Sequence, residues 1–220
     1  MNFKVLLYYI GTILKVEAAL LGLPLIVSFI YQENTWVSWL IPIAALLVIG
    51  LGLTIKKPEN KSFYAKEGFV LVGLSWILIS LFGCLPFVIS GQIPSFIDAF
   101  FETVSGFTTT GASVLSDVEA LDHSMLFWRS FTHWIGGMGV LVFILAILPS
   151  GDGQNIFILR AESPGPQVGK LVSKIKSSAR ILYLIYFGLT VVETIFLLCG
   201  GMSLFESIVN SFATAGTGGF

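Results

Sequence analysis

The residues with the clearest chemical use form a short polar stretch, residues 108–112, with the sequence Thr-Thr-Thr-Gly-Ala. Hydrophobic segments long enough to cross a bilayer lie on both sides of it. Irregular backbone is tolerated at membrane depth only where it is buried in protein or lines a wet cavity. There, backbone carbonyls can replace the hydration shell of a cation, and Gly111 has the conformational freedom to turn them inward. We therefore expect this loop to be an ion selectivity filter.

A short helix is expected to position the loop. Ser95 stands three residues before Asp98, which is a helix-start pattern, and a largely apolar stretch follows up to residue 105. The carboxyl end of such a helix carries a partial negative charge, which favours a cation in the loop beyond it.

The same arrangement occurs a second time in the chain. Residues 98–111 align without gaps with residues 206–219, so that Gly111 matches Gly219. Each copy follows a hydrophobic span, and each starts with a serine three residues before an acid. The repeated unit predicted is a span, a short pore helix, a filter loop and a second span. Two unrelated re-entrant loops are the alternative.

The composition predicts an all-α integral membrane protein. Of its 220 residues, 55% are hydrophobic and 11% are charged, whereas soluble domains are about 25% charged. Cys84 and Cys199 lie in apolar runs, which indicates small core residues rather than a disulfide or a metal site. We expect the lipid bilayer as a partner, and no nucleic acid, cofactor or resident metal.

Five segments are long and apolar enough to cross the membrane, since a crossing helix needs about 20 residues. They cover residues 5–31, 36–55, 68–90, 125–148 and 179–200. Lysine and arginine concentrate between the second and third spans and between the fourth and fifth, and are absent from residues 90–128. The positive-inside rule therefore predicts a multi-pass protein of the cell's inner membrane, with a cytoplasmic N-terminus and an external filter loop.

Acidic residues lie on the predicted outer side. Such acids predict a vestibule that concentrates cations at a pore mouth. For Asp117, Glu119 and Asp122, an ordinary solvated surface is the alternative. The outer acids are Glu33, Asp98, Glu102, Asp117, Glu119, Asp122 and Glu206.

The predicted division of the chain has four parts. A two-helix transmembrane unit covers residues 1–60, the first pore repeat 61–150, a cytoplasmic loop 151–178, and an incomplete second pore repeat 179–220. Potassium channels close a carbonyl ring with about four such loops. We expect a longer protein with more repeats; a two-loop subunit completed by dimerisation is the alternative.

Three stretches carry a resemblance to a known family. They are residues 98–112, residues 134–139 (Trp-Ile-Gly-Gly-Met-Gly) and residues 160–166 (Arg-Ala-Glu-Ser-Pro-Gly-Pro). In order, they resemble the first pore helix and filter, the start of the next helix, and the following cytoplasmic loop of the Trk/Ktr/HKT superfamily of potassium transporters. The two preceding spans make the bacterial Trk-type membrane subunit the closest match.

The resemblance implies two N-terminal transmembrane helices followed by potassium-channel-like helix–pore-helix–filter–helix repeats, four in the whole protein and the second truncated here. It implies potassium uptake, a cytosolic nucleotide-binding regulatory subunit as partner, and pairing of two membrane subunits. The single glycine of the first loop differs from the two-glycine filter of potassium channels, which leaves sodium conduction open. The carbonyls matched by position to ion contacts belong to Thr109, Thr110, Gly111, Thr217, Gly218 and Gly219.

Arg129 and His133 lie one turn apart near the outer end of the fourth span. Arg129 either braces the filter loop through Glu102 or extends to the lipid headgroups. His133 is either a hydrogen-bonding strut or a proton relay.

Gly136, Gly137 and Gly139 allow close helix packing or a gating hinge. Glu17 and Glu193 are acids within spans, and the sequence identifies no partner for either.

Two other function classes, an enzyme and a scaffold, fit the sequence less well. A membrane-embedded enzyme needs a nucleophile, metal ligands or an acid–base pair at matched depth, and the spans contain only isolated candidates such as His133, Glu193 and Glu17. A non-transporting membrane scaffold gives no reason for a repeated Thr/Gly loop. Whether transport is channel-like or coupled to sodium or protons stays open.

Overall fold

In the computed structural model, residues 3–58, 65–139 and 172–219 are described, and their regular structure is entirely helical. Eight helices lie in these ranges: α1 (Phe3–Ile30), α2 (Trp36–Thr54), α3 (Ala65–Gly83), α4 (Leu85–Ser90), α5 (Phe96–Phe107), α6 (His123–Gly137), α7 (Val172–Cys199) and α8 (Leu204–Ala215). The predicted all-α class is confirmed.

Four segments of the described chain are long and apolar enough to cross a membrane. They are Phe3–Ile30, Trp36–Thr54, Gly68–Ser90 and Ile181–Cys199, which agree with the first, second, third and fifth predicted spans. The fourth predicted span, residues 125–148, begins within α6 and continues outside the described residues. The motif at residues 160–166 also lies outside them.

The third span is divided into α3 and α4, which the hydropathy pattern did not predict. Pro86, in the first turn of α4, has no amide hydrogen, and its ring displaces the carbonyl four residues earlier. The Trp128 indole Nε1 donates a 2.8 Å hydrogen bond to the Gly83 carbonyl at this break. At the position aligned with Pro86, α7 has Thr194 and continues without interruption.

Helix α1 packs along α2 and also contacts α3 and α6. The two helices approach closely because Gly11 and Gly50 face each other: a Cβ atom on Gly11 would lie 3.0 Å from the Gly50 carbonyl oxygen. Lys15, a charge within the first span, donates a 3.1 Å hydrogen bond from Nζ to Thr54 Oγ1. Glu17 is 3% exposed, and neither carboxyl oxygen has a hydrogen-bond partner among the described residues.

The cysteines differ in their surroundings. Both are free, Cys84 being buried and Cys199 exposed at the end of α7. Burial confirms the predicted core position for Cys84. At Cys199 the described residues cover little of the surface of α7, and the core position there stays a prediction.

At the predicted outer side, the α1–α2 connection holds the start of α6. The Glu33 carboxylate accepts hydrogen bonds from the Ser124 backbone N–H at 3.2 and 3.3 Å. The Tyr31 ring stacks on His123 with centroids 3.9 Å apart, and Phe205 of α8 meets His123 at 4.9 Å. No sequence pattern pointed to His123, since its partners are distant along the chain.

Candidate ion-binding site

The two predicted pore helices, α5 and α8, have the same length and begin in the same way. Each has 12 residues. The Ser95 side chain accepts a hydrogen bond from Asp98 N at 3.4 Å, and the Ser203 side chain accepts one from Glu206 N at 3.3 Å. The Glu206 carboxylate also accepts from Ser203 N at 3.0 Å, and the hydrogen bonds with Ser203 lower the pKa of Glu206. The predicted helix starts are confirmed at both places.

Each helix passes into its loop through the same two backbone hydrogen bonds, made at aligned positions. The first is a tight turn that ends the helix, and the second runs from the middle of the loop back to the last turn. In the first repeat they are Thr109 N to Gly106 O (3.0 Å) and Thr110 N to Ser105 O (2.9 Å); in the second, Thr217 N to Thr214 O (2.8 Å) and Gly218 N to Ala213 O (3.2 Å).

Along both loops, the backbone alternates between left-handed conformations, with positive φ, and conformations in which φ is not positive. The angle φ is positive at Thr109 (54°), Gly111 (74°), Thr217 (58°) and Gly219 (69°), and it is not positive at Thr110 and Gly218 between them. Alternating hands turn successive peptide groups toward one side of the chain, unlike the opposed groups of a strand. A β-branched residue with positive φ is an outlier, and such outliers cluster at ligand clamps. Both loops therefore have a backbone suited to presenting a row of carbonyls.

The two loops touch at Gly111. A Cβ atom on Gly111 would overlap the carbonyl oxygen of Gly218 and would lie 2.9 Å from its carbonyl carbon. Because φ at Gly111 is also positive, both conformation and space require glycine there.

Glu102 and Arg129 form a buried ion pair beside the first loop. The Arg129 Nε donates to Glu102 Oε1 at 2.6 Å, and the two side chains are 5% and 1% exposed. Glu102 also accepts hydrogen bonds from Ser113 Oγ (2.9 Å) and Val114 N (3.0 Å), directly after the loop. Because Arg129 is buried, its side chain does not extend into the headgroups in this structure. Its ion pair with Glu102 is the contact that the bracing alternative requires. The hydrogen bonds from Ser113 and Val114 to Glu102 were not predicted.

Helix α6 packs against both loops through its glycines. A Cβ atom on Gly136 would overlap the Phe107 carbonyl oxygen, and one on Gly137 would lie 2.9 Å from the Gly216 Cα. Gly139 follows the helix with φ of 68°. Close packing is thus confirmed for Gly136 and Gly137.

Helix α7 is joined to the site by polar contacts. The Trp134 Nε1 donates to Thr190 Oγ1 at 3.0 Å, and the Tyr186 hydroxyl donates to the Trp134 carbonyl at 3.1 Å. Glu193 lines an open apolar groove of about 410 Å³ between α7 and the end of α8.

The outer acids divide into two groups. Glu33 and Glu102 are held in the hydrogen bonds described above, whereas Asp98, Asp117 and Glu119 are exposed to solvent. The exposed carboxylates are compatible with both alternatives, a vestibule that concentrates cations and an ordinary solvated surface.

Comparisons with known proteins identify the family. The family model described as "TrkH: Cation transport protein" matches residues 38–220. The Trk system potassium uptake protein TrkH of Escherichia coli K12 is 36% identical over 224 residues, and that of Halomonas elongata is 32% identical over 225. Both alignments cover 100% of this chain and 46% of the relative, so the chain spans about half the length of the curated relatives it matches.

A solved structure of a protein from the same family resembles this chain. The crystal structure of the potassium transporter TrkH from Vibrio parahaemolyticus matches with a TM-score of 0.79 and 30% identity, over 96% of this chain and 42% of that one. These relatives are named as transport proteins, not as enzymes or scaffolds. The chain belongs to the TrkH family of cation transport proteins.

Proposed function

We propose that the chain forms part of the pore of a Trk-type potassium uptake protein, in which backbone carbonyls of both loops contact the dehydrated ion. The observation that carries this proposal is the pair of loops with the same alternating backbone, in contact at Gly111 and Gly218. The relatives named as potassium uptake proteins support potassium as the ion. The contacting residues would be Thr109, Thr110, Gly111, Thr217, Gly218 and Gly219.

The chemistry requires only the protein backbone. A potassium ion loses water on entering a narrow pore, and inward-facing carbonyl dipoles replace it. The carboxyl ends of α5 and α8 lead directly into the loops, so their partial negative charge also favours a cation. Glu102 and Arg129 act as pore support, because their ion pair fixes the backbone just after Gly111.

A complete ring of carbonyls takes about four loops, and the described residues supply two. The other two would come from further repeats of the protein, since the relatives are about twice as long as this chain. The division proposed is a two-helix unit at residues 1–60, pore repeats at 61–150 and from 179, and a cytoplasmic loop at 151–178.

Orientation and partners are further parts of the proposal. By the positive-inside rule, the basic loops favour a cytoplasmic N-terminus and filter loops at the outer face of the inner membrane. A cytosolic nucleotide-binding regulatory subunit and a second membrane subunit follow from the resemblance described above. The name "Trk system", given to the relatives, supports an assembly of several components.

The test is ion uptake by the intact protein in a bacterium that lacks its own potassium uptake systems. Expected are growth at low external potassium and uptake of rubidium, a potassium tracer, well above uptake of sodium, both normalised to membrane protein. The same vector without the gene is the control. Normal insertion into the membrane without growth or rubidium uptake would refute the proposal.

A further inference from the structure

His133 of α6 is fully buried and lies between the two repeats. A Cβ atom on Gly218 would overlap Cε1 and Nδ1 of its ring. A Cβ atom on Gly106, in the last turn of α5, would lie 3.6 Å from its Cδ2. The imidazole of the first repeat therefore fills the space directly behind the loop of the second.

The ring explains a glycine that backbone conformation does not. Gly218 has no positive φ, so an L-residue could adopt its conformation. At the aligned position of the first loop, Thr110 carries a side chain, which lies 2.8 Å from the Thr108 hydroxyl. The second loop has no room for one, because His133 occupies that volume.

Gly218 is thereby held from two sides. Its backbone faces the His133 ring on one side, and on the other its carbonyl oxygen lies where a Cβ atom of Gly111 would be. Packed interiors transmit displacements, because they contain few voids. A change in the size of residue 133 should therefore move the Gly218 carbonyl relative to the first loop.

We propose that His133 is a positioning residue for ion discrimination: its ring sets the second loop against the first and so fixes where the Gly218 carbonyl points. This inference rests on the proposed function, since it assigns a role within the same pore.

The experiment is a double-mutant cycle in the intact protein, with the ratio of rubidium to sodium uptake per membrane protein as the readout. Gly218→Ala should lower this ratio by about tenfold, equivalent to about 1.4 kcal/mol, because the methyl group pushes the loop off the ring. His133→Ala should also lower it, because the loop loses its support. In the His133→Ala background, Gly218→Ala should have little further effect, because the methyl group enters the vacated space.

Two variants complete the design. In His133→Asn, the new side chain is shorter than histidine but still polar. If His133→Ala inserts poorly into the membrane, the double-mutant cycle with Gly218→Ala can be measured with His133→Asn instead. Gly188→Ala is the control for adding a methyl group to a glycine, since a Cβ atom there meets nothing within 4 Å. Its uptake ratio should equal that of the unmodified protein.

The outcomes are distinct. Independent effects of the two substitutions, or an unchanged ratio in both single variants with normal rubidium uptake, would overturn the role of His133. Absence of any rubidium preference in the unmodified protein would instead overturn the proposed function.

Discussion

Replacing Gly111 by alanine adds one methyl group where the two loops meet. With φ at 74°, any L-residue there costs about 1–2 kcal/mol in backbone strain. The new Cβ atom would also overlap the Gly218 carbonyl oxygen, whereas carbon–oxygen contacts normally need about 3.3–3.6 Å. The carbonyl must therefore move by roughly 1 Å or more, which removes one oxygen from the proposed coordination of the ion.

The size of the effect follows from the lost contact. A hydrogen bond to a charged group contributes about 1.5–3 kcal/mol, and a carbonyl–potassium contact in a dry pore is of similar kind. Loss of one such contact should lower discrimination between potassium and sodium by about 10- to 100-fold. The amount of protein in the membrane should change far less.

Gly91→Ala is the matched control, because it separates strain from crowding. Gly91 has φ of 77°, close to that of Gly111, but a Cβ atom there would meet nothing within 4 Å. The positive φ should cost each variant about 1–2 kcal/mol of stability, and only Gly111→Ala should lose ion discrimination. The assay is paired rubidium and sodium uptake per membrane protein. An unchanged ratio in Gly111→Ala, or an equal change in Gly91→Ala, would refute the reasoning.

Three further predictions concern the support of the pore, its orientation and its second helix start. Arg129→Met should lower stability by about 3–5 kcal/mol, because it leaves the buried charge of Glu102 unpaired. Adding Glu102→Gln should restore much of this stability in thermal unfolding; an equal loss in the single and the double variant would contradict the role of the ion pair. In a background that lacks Cys84 and Cys199, cysteine replacing Ser116 should react with an impermeant thiol reagent in intact cells, whereas cysteine replacing Ser173 should not; the reverse pattern would invert the topology. Because the pKa of Glu206 is lowered in the folded protein, the ionised carboxylate stabilises the fold at pH values above its unfolded-state pKa of about 4.3. This contribution is lost as the pH falls through the folded-state pKa. Thermal stability of the unmodified protein should thus fall more on acidification than that of Glu206→Gln, and identical pH profiles would contradict this.

The sequence predicted the helices well because their signals are local. Hydropathy over about 20 residues defines a span, and the gapless repeat required α5 and α8 to begin and end at aligned positions, as they do. The break between α3 and α4 was missed, although Pro86 was a visible signal for it. The apolar run around that proline is continuous, and span prediction by composition ignores the missing amide hydrogen.

Contacts between distant residues were harder to predict. The Glu102–Arg129 pair was one of two alternatives, because a charge near a span end can equally extend to the headgroups. The hydrogen bond from Val114 N to Glu102 had no signal at all, since any backbone amide could have made it. The same holds for the stacking of Tyr31 on His123, which joins the α1–α2 connection to the start of α6 without any periodic pattern.

The glycines of the two proposed filter loops are there for different structural reasons. The second loop has two consecutive glycines, whereas the first has one, and this difference from the two-glycine filter of potassium channels left sodium conduction open. The alignment pairs Gly111 with Gly219, and both have positive φ, so each loop has the one glycine that this conformation favours. The additional glycine, Gly218, lies where a side chain would collide with His133. It therefore reflects the packing of a neighbouring helix, and the difference in glycine number between the loops follows from that packing rather than from backbone conformation.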